Sequence, residues 1–391
     1  MSDESNATKP VVWSFPTRLI FGAGARAELP VEVKALGGTK VLVVTDPGVN
    51  GAGLVEPLVE ALEQAGIGAA VFDGVSSNPL ESELHAATSA YRDADADAIV
   101  AVGGGSPLDV GKLVKLTATH PMPLAQYDDA LDGWKHITKP MPPMIAIPTT
   151  AGTGSEVGRA GVVTLQATHK KTVIFAPALM PNAAILDPEL TVGLPPRTTA
   201  ATGIDALTHC VEAYLATGDH PMADAIAFAG IELVAKHLET AVHDGKDLEA
   251  RGAMLKAAMM GAVAFQKGLG ACHALAHPLG AEYDLHHGLA NALCLPAVLD
   301  FNRSAVPERV AQVAKLLGAR GDDTETLAFE CSGAVRALRK KVGLPDGLEA
   351  VDVPEDGLEK IAKLAMDDAS HRTNPRPCTE EDMLSLLKAS F

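Results

Sequence analysis

The chain has 391 residues, 47% hydrophobic and 21% charged, with a formal net charge of −17; this suits a globular protein of two or three domains and makes nucleic acid and anionic membranes unlikely partners, because both repel an acidic surface. Five cysteines with no CxxC pair give no disulfide framework and fit a reducing compartment. The opening MSDESNATKP has neither the basic nor the apolar region of a signal peptide, and no apolar run reaches the ~18 residues of a membrane helix, so the chain reads as cytoplasmic.

The first half alternates short β-branched runs with helical periodicity. Strands are expected at 40–45 (KVLVVT), 69–72, 98–102 and 144–147, with helices at 53–65, 81–92 and 107–117 between them. Further short apolar runs follow at 162–165, 172–175 and 183–186. Strands separated by helices of ~10–15 residues predict βαβ units and a mostly parallel, Rossmann-like sheet.

At Leu194-Pro195-Pro196 the pattern changes, since a double proline stops regular structure. Helices are expected beyond it at 199–215, 223–238, 248–261, 310–317, 326–342, 358–366 and 379–389, the last opened by a capping-box pair, Thr379 with Asp382. The expected organisation is an α/β dinucleotide-binding domain over residues 1–192 and an all-α metal-binding domain over 193–391.

Three loops bear on a nucleotide. Gly103-Gly104-Gly105-Ser106-Pro107 joins a strand to a helix; its glycines allow close backbone approach, and the helix N-terminus offers free N–H groups to a pyrophosphate. Asp46, ending the 40–45 strand, can accept from ribose hydroxyls and would repel a 2′-phosphate, which favours NAD. Asp-Pro-Gly is also good turn chemistry, so a helix or turn cap is the alternative. Thr149-Thr150-Ala151-Gly152-Thr153-Gly154-Ser155 ends another strand where cofactor phosphate or ribose would lie. Two lookalikes are set aside. GSPLDVGK has the wrong spacing for a phosphate-binding NTPase loop and Leu113 where Ser or Thr should hold magnesium. Gly22-Ala23-Gly24 matches a dinucleotide fingerprint but precedes the 40–45 strand, and reads better as a turn into a short helix.

The strongest chemistry lies between residues 203 and 291, in GIDALTHCVEAY and CHALAHPLGAEYDLHHGLANA. Asp205 and His209 are four apart, as are His273 and His277, and each pair therefore shares a helix face. His286 and His287 follow. Unpaired, such groups are costly in an apolar setting, and a shared divalent cation removes that cost. An O/N donor set suits Fe(II), Zn(II), Mn(II) or Co(II). Spacing alone does not select the ligands from these six; Cys210, Cys272 and Cys294 stand nearby, but no cysteine shares the face of Asp205 and His209.

GGGSPLDVGK, PTTAGTGSEV, LPP with GIDALTHCVEAY, HALAHPLGA with HHGLANA, and TNPR occur in this order along nearly the whole chain. Together they resemble the signatures of the iron-dependent (group III) alcohol dehydrogenases. The resemblance implies an α/β nucleotide domain, a helical metal domain, and an active site in the cleft between them. It implies metal ligands Asp205, His209, His273 and His287, with His277 as a non-ligand histidine near the nicotinamide, contacting substrate or relaying a proton. Gly104, Gly105, Ser106, Thr149, Thr150 and Thr153 match cofactor-contacting positions, Asp46 matches the acidic residue of NAD preference, and Asp109 and Lys171 match polar positions near the cofactor. His286 departs from the pattern, and could compete for the metal or line the substrate pocket. The implied activity is reversible hydride transfer between a small alcohol or aldehyde and NAD(H), with Fe(II) as Lewis acid, Zn(II) being allowed by the ligand chemistry, in a homodimer or larger homo-oligomer. Other readings left open are a hydroxyacid–oxoacid transhydrogenase that retains its nicotinamide, a lyase of the dehydroquinate synthase type, and a non-enzymatic metal- or nucleotide-binding protein.

Overall fold

The computed structural model describes residues 15, 17–168 and 170–391; MSDESNATKP and His169 lie outside them. The first half forms strands β1 (Arg18–Phe21), β2 (Lys40–Val44), β3 (Gly68–Phe72), β4 (Ala98–Gly103), β5 (Met144–Pro148), β6 (Ala160–Thr164), β7 (Lys171–Phe175) and β8 (Ala183–Leu186). Between them run helices α1 (Leu29–Ala35), α2 (Pro47–Gly51), α3 (Glu56–Gln64), α4 (Glu81–Asp93) and α5 (Gly105–Thr117). Six strands make one parallel sheet in the order β1-β8-β5-β4-β2-β3, while β6 and β7 pair as an antiparallel hairpin.

The central strands read as continuous apolar runs because both faces of the sheet are covered. Val41, Val43, Val100, Val102, Ile145 and Ile147 point to one face, against Leu29 and Val33 of α1 and Leu58 and Leu62 of α3. Their neighbours Leu42, Val44, Ile99, Ala101, Met144 and Ala146 face the other, against Leu84 of α4 and Leu108 and Leu113 of α5. The chain passes from β2 to β3 on one side and then returns to β4 on the other side of β2. The crevice at the carboxyl ends of β2 and β4 is therefore the topological switch point, the place where such sheets bind ligands.

The second half is helical: α6 (Pro196–Leu215), α7 (Pro221–His243), α8 (Leu248–Ala264), α9 (Ala271–Tyr283), α10 (His287–Asn302), α11 (Pro307–Leu316), α12 (Thr324–Lys341), α13 (Leu358–Asp367) and α14 (Glu380–Ala389). Among the described residues no helix is long and apolar enough to cross a membrane.

Several expectations need amending. The double proline does not interrupt structure but starts it: Pro196 occupies the first turn of α6, where a missing N–H costs nothing. The helix expected at 53–65 is present as α3 over Glu56–Gln64, and the one-turn α2, capped by Asp46, precedes it as an additional element. β1 is an additional parallel edge strand on β8, with an exposed face that hides its periodicity. Gly22-Ala23-Gly24 leads into a short helical turn at Ala25–Glu28, as expected, and its loop holds a carboxylate of its own chain. Gly24 N and Arg26 N donate to buried Asp187 at 3.0 and 3.2 Å.

Candidate metal centre and cofactor cleft

Asp205 and His209 project one turn apart from α6, His273 comes from the first turn of α9, and His287 is the first residue of α10. One ligand atom from each lies within 4.8 Å of all the others. Three helices converge here because small residues let them. A Cβ at Gly288 would meet the Ala201 carbonyl oxygen at 2.3 Å and Asp205 Cβ at 3.1 Å, so only glycine lets α10 come this close to α6. His286 precedes α10 at its N-cap position, is exposed, and lies outside the four-residue group.

The electrostatics suit a cation. Burial raises the Asp205 carboxyl, but His209, His287, His273 and the Asn291 amide outweigh it and hold the group at about 2, so the side chain is an anion at neutral pH. Burial drives His273 and His287 well below the ordinary imidazole value, so both are neutral and carry a lone pair, the form a metal requires. Asn291 Nδ2 lies 2.8 Å from Asp205 Oδ1, 3.3 Å from His273 Nε2 and 3.2 Å from His287 Nε2. An amide has two hydrogens and cannot satisfy three acceptors. His209 Nδ1 is buried and, among the described residues, has no hydrogen-bond partner. The set is thus short of positive charge, and a divalent cation bound by three imidazoles and a carboxylate fits it. A thiolate site does not fit: burial pushes Cys210 and Cys294 up to about 12 and Cys272 well above its usual value.

His277 stands beside this group, its ring stacked on that of His287 at 5.2 Å and 13°. Its Nδ1 is 2.7 Å from Asp368 Oδ2. Against burial, the hydrogen bond and charge of His277 hold Asp368 well below the usual carboxylate range.

The residues expected to face a nucleotide gather at the switch point. Asp46 caps α2, its Oδ1 accepting from Val49 N at 2.9 Å, so the turn-cap role is present. Its Oδ2 lies 3.2 Å from where a Cβ on Gly103 would be, which places the carboxylate over the glycine loop. Gly103 has φ 148°, a conformation that side chains disfavour, and a Cβ there would strike Pro107 at 2.6 Å. Gly104 is the N-cap of α5 and Gly105 its first residue, so backbone N–H groups open into the crevice. Thr153 Oγ1 lies 3.0 Å from the Cβ position of Gly105, and Thr150 Oγ1 lies 3.4 Å from that of Gly104. Thr149 is buried, its N donating to Gly103 O at 2.9 Å, while Ser106 Oγ donates to Ser77 O at 2.8 Å.

Asp109 and Lys171 are tied to protein groups. Asp109 accepts from Ser155 Oγ at 2.6 Å, Val162 N at 3.1 Å and buried Lys112 at 3.4 Å, bracing α5 against the 149–155 loop and β6. Lys171 Nζ reaches Asn78 Oδ1 at 3.5 Å, and Asn78 Nδ2 donates to Asp284 Oδ1 at 3.2 Å across the cleft. A Cβ on Gly152 would lie 2.8 Å from Thr202 Cβ, so the threonine loop rests on α6 one turn before Asp205.

Known proteins decide the family. Models described as iron-containing alcohol dehydrogenase and as the C-terminal part of the Fe-containing alcohol dehydrogenase family match residues 16–188 and 199–391. The chain is 40% identical over 384 residues to a 4-hydroxybutyrate dehydrogenase of Cupriavidus necator, covering 96% of this chain and 98% of that one. It is 39% identical over 381 residues to a 1,3-propanediol dehydrogenase of Klebsiella pneumoniae, covering 96% and 97%. The crystal structure of a 1,3-propanediol oxidoreductase superposes with a TM-score of 0.94 at 39% identity, covering 98% of this chain and all of that one. The chain belongs to the iron-containing alcohol dehydrogenase family. It is an alcohol dehydrogenase, and the family implies a metal and a nicotinamide cofactor.

Three residues of this alcohol dehydrogenase's site escape sequence reasoning. Asn291 sits one turn after His287, and only the folded geometry places its amide among the ligands. Glu212 lies in the motif with Asp205 and His209, one turn beyond His209, a spacing that could have marked it. Asp368 is 91 residues from His277 and had no local signal.

Proposed function

We propose that the protein is an NAD-dependent, Fe(II)-containing dehydrogenase that interconverts a small primary alcohol and its aldehyde by hydride transfer. The observation carrying this reading is the gathering of Asp205, His209, His273 and His287 within 4.8 Å, on helices of which α6 also seats, through Thr202, the loop that bears Thr149, Thr150 and Thr153. Similar proteins named for 4-hydroxybutyrate, 1,3-propanediol and methanol all act on primary alcohols, which supports that substrate class. The donor set would hold Zn(II) as well as Fe(II).

The bound ion supplies Lewis acidity toward the substrate oxygen. The chain's residues supply position. Backbone N–H groups at Gly104 and Gly105 receive the pyrophosphate, with the Thr149, Thr150 and Thr153 hydroxyls and Ser106 beside it. Asp46 accepts from the adenosine ribose and disfavours a 2′-phosphate. Because Gly152 seats the threonine loop on Thr202 of α6, one turn before Asp205, a nicotinamide cofactor held by that loop would supply hydride transfer close to the helix that carries Asp205 and His209. His277 holds its proton on Nδ1 against Asp368; with its side chain 40% exposed, Nε2 can pass the alcohol proton to solvent. The acidic surface and five free thiols support a cytoplasmic location, and the family likeness supports a homodimer or larger assembly.

Anaerobic purification, metal analysis, and assay of Fe(II)- and Zn(II)-loaded protein with NAD over a panel of short alcohols test the reading. Metal-dependent NADH formation, preferring NAD over NADP, is expected. Bound metal with hydride passing between a hydroxy acid and an oxo acid, and no free NADH, would replace it with the transhydrogenase.

A further inference from the structure

The two histidines of α9 differ in what stands behind them. His277 is backed by Asp368 near the surface, whereas His273 is backed by Glu212 on α6, whose side chain is 3% exposed. Glu212 follows His209 by three residues and Asp205 by seven, so it lies on the same face of α6 as both. Its Oε2 lies 2.5 Å from His273 Nδ1 and accepts from His273 N at 3.3 Å, while Oε1 accepts from Cys272 N at 2.7 Å. A Cβ on Gly270 would meet Glu212 Oε1 at 2.7 Å and Asn374 Oδ1 at 2.8 Å. Carboxylate and amide thus fill the N-terminus of α9 together, and Asn374 Oδ1 takes Ala271 N at 3.2 Å.

We infer that Glu212 is a positioning residue of the metal centre: it fixes the Nδ1–H tautomer of His273 and thereby aims the Nε2 lone pair into the cluster of Asp205, His209 and His287. A neutral imidazole carries one N–H. Glu212 Oε1 and Oε2 already take the N–H groups of Cys272 and His273, a donor arrangement that suits the carboxylate form, and an ionised Glu212 only accepts, so the proton belongs on Nδ1. The far side agrees, because the Asn291 amide nitrogen, a donor, lies 3.3 Å from His273 Nε2. In the reversed tautomer Nε2–H would point at the cluster and a lone pair would face Glu212, so both sides would be lost. Metal-binding histidines are commonly held through their other nitrogen in this way, and removing the holder costs about 10–100-fold in metal affinity.

The inference rests on the metal reading above, and the test separates the two. The whole chain is stripped with a chelator, and Zn(II) affinity is measured by competition with a chromophoric chelator, alongside the Tm of the stripped protein. Glu212→Gln keeps the side chain's volume and one acceptor but presents N–H hydrogens to the ring or to the α9 N-terminus. The expected result is Zn(II) binding weakened by about 10–100-fold with the fold retained. A lower Tm with wild-type Zn(II) affinity would overturn the inference and reduce Glu212 to a helix cap. If Glu212→Gln does not fold, Glu212→Asp decides: it keeps the charge but stops one carbon short of His273, so weaker binding than wild type is expected, and equal binding overturns the inference. Failure of the wild type to bind Zn(II) or Fe(II) would instead remove the metal reading, and this inference with it.

Discussion

One helical turn separates His273 from His277, yet their surroundings commit them to different work. His273 is buried among Asp205, His209 and His287 with its Nδ1 against Glu212; His277 is partly exposed, stacks on His287, and has its Nδ1 against Asp368. Only the first is within the four-ligand group. His277→Ala should therefore leave metal content unchanged by elemental analysis while turnover falls by about 10²-fold or more, the usual scale of a lost proton-transfer group. Loss of metal in that variant would make His277 a ligand and discard its proton role. Asp368→Asn should lower kcat by a smaller factor with KM and metal content held, since the ring remains and loses only its fixed tautomer. A parallel rise in KM would mean that Asp368 shapes the pocket rather than His277.

At the scale of the element, close approach makes the site. Gly288 allows α10 to lie against the Ala201 carbonyl, bringing His287 to 3.4 Å from Asp205. Gly288→Val should force α10 outward, lowering stability by about 1–3 kcal/mol in chemical denaturation and reducing metal content at the same time. A stable variant with full metal occupancy would show that α10 adapts by another route. Elements of this kind were unequally legible in the sequence. β2, β4 and β5 announce themselves because helices cover both faces of the sheet, so every position but Lys40, at the exposed start of β2, is apolar. β1 does not, because it is an exposed edge strand with no alternating pattern. α9 and α10 carry Pro278 and Pro296 in their interiors, which obscures their bounds, although the four-residue spacing of His273 and His277 shows through. Pro195 and Pro196, the N-cap and first residue of α6, read as a stop because sequence alone does not tell a break from a first turn. Asp205 and His209 were visible as a pair through local periodicity, whereas Asp368 and Asn291 join the site only through tertiary packing.

Across the whole molecule the site belongs to both halves of the chain. Gly152 seats the threonine loop on Thr202, Asn78 reaches Asp284, and three helices bring the four candidate ligands together. Such a centre leaves a signature in the pH dependence of stability once the metal is stripped. His273 and His287 titrate well below 6.5 in the fold and near 6.5 when unfolded, so between those values the unfolded chain binds more protons, and acidification below about 6.5 removes stability. Glu212 has the opposite sign. Burial outweighs its backbone hydrogen bonds and lifts it to about 7, against about 4.5 unfolded, so across that window the fold binds the extra proton and acidification adds stability. Within the site two imidazoles oppose one carboxyl. Elsewhere Glu156, also lifted to about 7 by burial, adds to the carboxyl side, while His120 and His286, both lowered by burial, add to the imidazole side, so the imidazoles still outnumber the carboxyls. Asp205, held at about 2, takes stability away only below about pH 4. The Tm of stripped protein should therefore fall as pH is lowered from 7 toward 5, and fall more steeply in Glu212→Gln, where the opposing contribution is gone. Zn(II) at saturating concentration should raise Tm throughout, because it binds only the folded donor set, and should raise it least at the acid end, where protons compete for the same nitrogens. Calorimetry of the stripped and loaded forms across that range checks both. A Tm that rises on acidification in the stripped protein would mean that the imidazoles are already protonated in the fold, and the account of them as neutral donors would fail.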